Sequence, residues 1–213
     1  MGVELNSVGD VVLRDARTMR ALAEPGRLTV HDALRRGGPM TLAALATAVG
    51  MSVAEVRAHV ESLAAVGLVE LAAEPGRGTD TCAAVGIGVF FEIPDDPEGQ
   101  SAARALAAQM LLQNADLPRR WATDVEPKLP IEWARAAGMI GAKPIVTPAE
   151  LAELQAAIER LLEPYLTRVS DAVPAAARPV RVLGFFMPDA LSEGNEPDKR
   201  NPRELRRRIM RSG

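Results

Sequence analysis

The chain has 213 residues, enough for one large domain or two small ones, and 47% of them are hydrophobic while only 3% are aromatic. Its core must therefore be built mainly from Ala, Leu and Val. No apolar run approaches the ~20 residues of a membrane-spanning helix. The start of the chain carries Glu4 and Asp10 and lacks the basic head and apolar centre of a leader peptide. A single cysteine excludes an internal disulfide framework, so the expected location is cytoplasmic.

Residues 1–12 show little pattern and read as an arm or short strand. Leu13 to Ala23 reads as a helix, broken by Pro25 and Gly26, and Arg27 to Arg36 as a second, with Leu28, Leu34 and either Val30 or His31 inside. Gly37-Gly38-Pro39 ends it. From Leu42 two helices follow across a tight turn. The first carries Leu42, Leu45, Ala46 and Val49 as one stripe, and Gly50 stands where a helix C-terminus favours a left-handed residue. Ser52 and Glu55 then form a capping box for the second helix. In that helix Val53, Val56, Val60 and Leu63 share a face, opposite Ala54, Arg57, Ala58 and Glu61. This is the helix-turn-helix layout, whose second helix enters a major groove, although two amphipathic helices around a glycine also occur in other helical domains.

The sequence after the helix pair favours the first reading. Gly67 to Leu71 alternates as a strand, Glu74-Pro75-Gly76-Arg77 is a turn, and Thr79 to Ala83 can return as the partner. A hairpin directly after a recognition helix is a wing. Arg77 at its tip is either a phosphate or minor-groove contact or a solvated turn arginine. The residues assigned to DNA contact are Ser52, Ala54, Arg57, Ala58, His59, Arg77 and Thr79. Of these, Arg57 and Ala58 are expected to face bases, and Ser52 and Thr79 phosphates. His59 suits either a phosphate contact or packing at the helix edge.

From Asp15 to Ala84 the chain resembles the ArsR-like winged helix-turn-helix transcription regulators of bacteria. The matching residues are Asp15-Ala16-Arg17, Arg20-Ala21-Leu22, Arg27-Leu28, Leu42 to Ala46, Val49-Gly50-Met51-Ser52, Val56 to Val60, Leu63, and Gly67-Leu68-Val69. Two departures stand out. The family's usual His-Pro-Leu-Arg run is Glu24-Pro25-Gly26-Arg27 here, and its His-Leu pair in the recognition helix is His59-Val60. The resemblance implies double-stranded DNA as partner, a homodimer and a repressor's role.

The remainder is mixed. Residues 85–93 are β-rich and end at Pro94, before an acidic loop holding Asp95, Asp96 and Glu98. Ser101 to Asn114 is a helix. Four prolines between 115 and 147 preclude one long helix there, and Trp121 and Trp133 are expected as core anchors. Thr147 and Glu150 form a second capping box, opening a helix to about Ala172 that Pro164 should kink or split. Pro179 to Met187 reads as a buried strand that would share a small sheet with residues 85–93. Trp121, Trp133, the run Ile145 to Leu151 and the run Val180 to Pro188 resemble a subset of the same regulators, implying dimerisation and a place for a small-molecule effector of unidentified chemistry.

The expected architecture is thus mainly α with small β: a winged helix-turn-helix domain over 1–84, an α+β dimerisation and sensing region over 85–190, and a basic tail over 191–213. Metal sensing lacks ligands, since Cys82, His31 and His59 are scattered and each ion wants three or four. Cys82 reads as a small buried hydrophobe. No cofactor or catalysis is expected, because Gly86-Ile87-Gly88 lacks the third glycine and following helix of a dinucleotide site. Charge weighs against DNA. Residues 1–85 carry 8 basic and 10 acidic side chains, residues 86–198 carry 10 and 17, and residues 199–213 carry 7 and 1. An alternative is therefore a winged-helix protein–protein interaction module without specific DNA binding.

Overall fold

The computed structural model describes residues 3–73, 80–168 and 173–189. The chain divides into two compact units, residues 1–168 and 169–213. Arg77, Thr79 and the basic run after residue 198 lie outside the described residues.

The first unit opens with strands β1 (Glu4–Leu5) and β2 (Val11–Leu13), antiparallel to one another. The helix expected from Leu13 instead begins at Ala16. Val11 and Leu13 are wholly buried on alternate strand positions, and Asp15 caps the helix α1 (Ala16–Leu22) by accepting from the backbone of Thr18. Helix α2 (Pro25–Gly37) starts two residues before Arg27. Glu24 accepts from the N–H groups of Gly26 and Arg27, and Pro25 occupies the first turn, where its missing N–H costs nothing. A two-residue strand β3 (Met40–Thr41) leads into α3 (Leu42–Val49), the turn at Gly50, and α4 (Val53–Ala64). Strands β4 (Val69–Ala73) and β5 (Asp80–Ala84) follow as an antiparallel pair, and β3 adds to β5 to give the order β3-β5-β4. The wing is therefore a three-stranded sheet whose third strand comes from ahead of the helix pair.

Strand β6 (Val89–Phe91) does not pair with residues 180–187. It lies parallel to β2, with Val11 opposite Val89 and Leu13 opposite Phe91, giving the order β1-β2-β6. Residues 180–187 form no strand, and Val180, Val182 and Phe185 are exposed. An alternating apolar run without a ladder partner does not make a sheet by itself.

Helix α5 (Pro97–Asn114) begins earlier than Ser101 because Asp96 caps it, accepting from Gly99. Glu98 pairs with Arg20 of α1, so Asp96 and Glu98 of the acidic loop both have structural duties. Ala102, Ala103 and Leu106 are its buried residues, and the helix packs against α1. The proline-rich stretch breaks into α6 (Leu117–Arg120), a π turn over Trp121–Val125, a 3-10 turn over Glu126–Lys128 and α7 (Ile131–Ala136). None of these has a buried residue, and Trp121 and Trp133 are only half-buried, so they anchor no core. Helix α8 (Pro148–Leu166) is opened by the Thr147–Glu150 capping box and carries Pro164 within its last turn, ending at Leu166 and not near Ala172. No helix among the described residues is long and apolar enough to cross a membrane.

One core holds α1 to α5 with the wing and the N-terminal strands. Cys82 lies within it, its Sγ donating to the carbonyl of Met40 at 3.3 Å, and burial pushes its thiol pKa up. His31 and Val30 are both buried here, where the sequence offered one or the other. His31 is 1% exposed, and its Nε2 has no hydrogen-bond partner among the described residues. Burial, with the charge of Arg35, pulls its pKa down to about 4. The unfolded chain takes up a proton near the ordinary histidine value of about 6.5, which the folded state refuses. Stability is thus full above that pH and is lost as pH falls towards 4, by roughly 2–3 kcal/mol from this group. Urea unfolding of the wild type should show that slope, and His31→Leu should flatten it. Parallel slopes in the two proteins would contradict the assignment.

Candidate nucleic-acid interface

The interface is built on α4, and its orientation follows from what the helix buries. Val56, Val60 and Leu63 are fully enclosed against α2 and α3. At 100° per residue, this puts Ala54, Arg57, Ala58 and Glu61 on the outer side, where all four are exposed. Val53 departs from the expected pattern. It occupies the first position of the helix, beyond the reach of the core, and is 46% exposed.

The N-terminus of α4 is closed by the expected capping box. Ser52 Oγ accepts from the backbone of Glu55 at 3.2 Å, and Glu55 Oε2 accepts from the backbone of Ser52 at 2.9 Å and from its hydroxyl at 2.7 Å. The bonds from the Ser52 side chain and backbone hold the Glu55 carboxyl below its ordinary pKa. Gly50 sits at φ 71°, ψ 31°, the left-handed turn that sends α4 away from α3. Ala43, Ala44, Thr47 and Ala48 give α3 an exposed face of small side chains.

The predicted contact residues separate into three groups. Ser52, Ala54, Arg57 and Ala58 come together on the exposed first turns of α4. Arg77 and Thr79 lie outside the described residues. His59 turns sideways: its side chain is 24% exposed and its Nδ1 is 3.5 Å from Glu24 Oε2 at the start of α2. The same carboxylate oxygen lies 3.7 Å from Arg27 Nε. Partial burial raises the pKa of Glu24, but the backbone N–H groups of Arg27 and Gly26 and the charges of His59 and Arg27 outweigh it, so the net shift is downward. Glu24 and Gly26 had no place in the sequence-based site. Their signal was the departure from the His-Pro-Leu-Arg run.

Comparison with known proteins agrees with this geometry. Residues 22–72 match the model of a helix-turn-helix domain family. That segment spans α2 to β4, the part that carries the tight turn and the recognition helix. Residues 22–72 thus carry a helix-turn-helix domain, which the sheet of order β3-β5-β4 completes as a winged helix-turn-helix within the first unit.

Among solved structures, the chain is similar to the homodimeric winged helix-turn-helix DNA-binding domain of a possible ArsR-family transcriptional regulator from Mycobacterium bovis. Identity is 27%, over 46% of this chain and 77% of that one, with a TM-score of 0.31. It is also similar to a probable transcriptional regulator from Pseudomonas aeruginosa, at 18% identity over 68% and 88% of the two chains and a TM-score of 0.31. A MarR family regulator from Neisseria meningitidis matches at 16% over 66% and 79%, with a TM-score of 0.30. Curated proteins give no match.

The capping box should be measurable in isolation. Ser52→Ala removes the acceptor for the N–H of Glu55, and its expected cost is about 1 kcal/mol of stability. Denaturant unfolding checks this, and an unchanged midpoint would show that the box contributes nothing.

Proposed function

We propose that the protein is a homodimeric repressor that reads an inverted-repeat operator in double-stranded DNA, with α4 in the major groove and the wing beside it. The observation that carries this reading is the solvent face of α4. It offers one arginine, Arg57, among the small side chains of Ala54 and Ala58, so the helix can approach base edges closely. Val53 adds an exposed apolar group at the leading turn, suited to a thymine methyl. In the wing segment Arg77 is assigned to a phosphate or the minor groove, and Thr79 to a phosphate. Residues 1–84 read DNA in this proposal, and 85–190 pair the protomers and hold any effector.

A bidentate arginine–guanine contact is worth about 1–3 kcal/mol. Arg57→Ala is therefore expected to weaken binding to a selected duplex by roughly 5- to 150-fold and to relax preference at one position of each half-site. Undiminished affinity in a fluorescence-anisotropy titration would remove Arg57 from the interface.

Pairing is assigned to α8. Leu151, Leu154, Ile158, Leu161 and Tyr165 repeat at alternating three- and four-residue steps, the spacing of a helix-on-helix seam. No residue of this 19-residue helix is buried, and Leu161 is 72% exposed, so the seam is open to a second copy. Sedimentation of the full chain should give a dimer at micromolar concentration, with Leu154→Glu/Ile158→Glu folded and monomeric. A monomeric wild type would contradict the pairing.

A second reading is a winged-helix module that binds protein. It is favoured by the acidic balance of residues 1–85 and by Glu55 and Glu61 on α4 itself. Failure of the wild type to retain any duplex from a random pool would support it over the first.

A further inference from the structure

We infer that Glu24, Gly26 and His59 form an interlock that sets the roll of α4 on α2, which makes Glu24 a positioning residue for the recognition helix although it lies on another element. The inference rests on the DNA-binding reading for its consequence and on geometry for its existence.

Three observations meet at one place. Glu24 is immobilised first: its two carboxylate oxygens accept from Gly26 N at 3.0 Å and Arg27 N at 2.8 Å, so its position is tied to the backbone of α2. His59 is then held from α4, with Nδ1 3.5 Å from Glu24 Oε2. Gly26 supplies the space. A Cβ there would stand 2.5 Å from His59 Nε2 and 2.8 Å from Cε1, so the ring sits where only glycine leaves room. Gly26 is not in the left-handed region, so its own backbone does not require glycine. The ring is the closest obstacle to a side chain at this position, with Glu24 Oε2 next at 3.3 Å.

The apolar contacts beneath α4 do not replace this device. Val56, Val60 and Leu63 fix which face is buried, but dispersion and the hydrophobic effect are non-directional and tolerate small rotations. A recognition constellation must be held to about 0.5 Å and 10–20°. A side chain anchored on α2 and touching α4 two residues beyond Arg57 supplies that directional restraint. Among the described residues, Arg27 on α2 shares the Glu24 carboxylate with the ring, and Glu55 on α4 interacts with the ring through its charge.

Gly26→Ala isolates the interlock. Alanine is the better helix former, so the substitution favours α2 itself. The nearest atoms it meets are the far end of the His59 side chain, which is already partly exposed and can swing into solvent, and Glu24 Oε2 at 3.3 Å needs to give by only a few tenths of an ångström, so the fold survives while the ring leaves Glu24. The test uses the full chain and a duplex selected by the wild type from a random pool. Gly26→Ala and His59→Ala should each weaken binding about threefold or more, with melting temperature maintained in Gly26→Ala. The double variant should bind no worse than His59→Ala alone, because no ring remains to be displaced. Glu24→Gln, which keeps a capping oxygen but loses the charge, should weaken binding in the wild type and have little further effect with His59→Ala. Additive losses, or full affinity in Gly26→Ala, would overturn the interlock. If the wild type selects no duplex, the DNA reading fails, and the thermal cycle judges the interlock by itself. Gly26→Ala should then raise the melting temperature more with His59→Ala than without it, and equal shifts would overturn it.

Discussion

Complete burial of Val56, Val60 and Leu63 against α2 and α3 is the constraint on which the rest depends. Those three side chains lie on one flank of α4, so the opposite flank has no choice but to face solvent. The composition of that flank follows: small alanines, one arginine and a glutamate, with nothing bulky to hold a partner surface away. The turn at Gly50 and the Ser52–Glu55 box then decide where the helix starts and in which direction it leaves α3. Each is a local, short-range device. Together with the core they convert a residue pattern into a projecting helix.

That part was legible in the sequence because its signals are local. A capping box spans four residues, a left-handed glycine one, and the apolar stripe of α4 three turns. Two helix starts shifted through caps of unexpected identity: Glu24, reaching two N–H groups, begins α2 at Pro25, and Asp96 begins α5 at Pro97. Long-range pairing was harder. Val89 to Phe91 reads as a strand, but nothing in its residues announces that its partner is Val11 to Leu13, some eighty positions earlier, in parallel. The tryptophans misled for a related reason. Large aromatics bury well only where other elements converge, and the proline-broken stretch around Trp121 and Trp133 packs no buried residue of its own.

Within the site, the solvent face of α4 was readable from periodicity, whereas the sideways placement of His59 was not. Its partner Glu24 is 35 positions away and its space is made by a missing Cβ, which no helical pattern records. Electrostatics sets the terms on which such a site works. With 8 basic and 10 acidic side chains over residues 1–85, there is little general attraction to phosphate. Contact must come from arginines set in place, and orientation of α4 carries more of the burden than in a strongly basic domain.

The most direct test of the account is guanine N7 methylation interference on a duplex selected by the full chain, because N7 lies in the major groove. The account predicts two clusters of interfering guanines, separated by about one helical turn and related by an inverted repeat. A selected duplex that binds equally well with every guanine methylated would contradict the placement of α4 in the major groove.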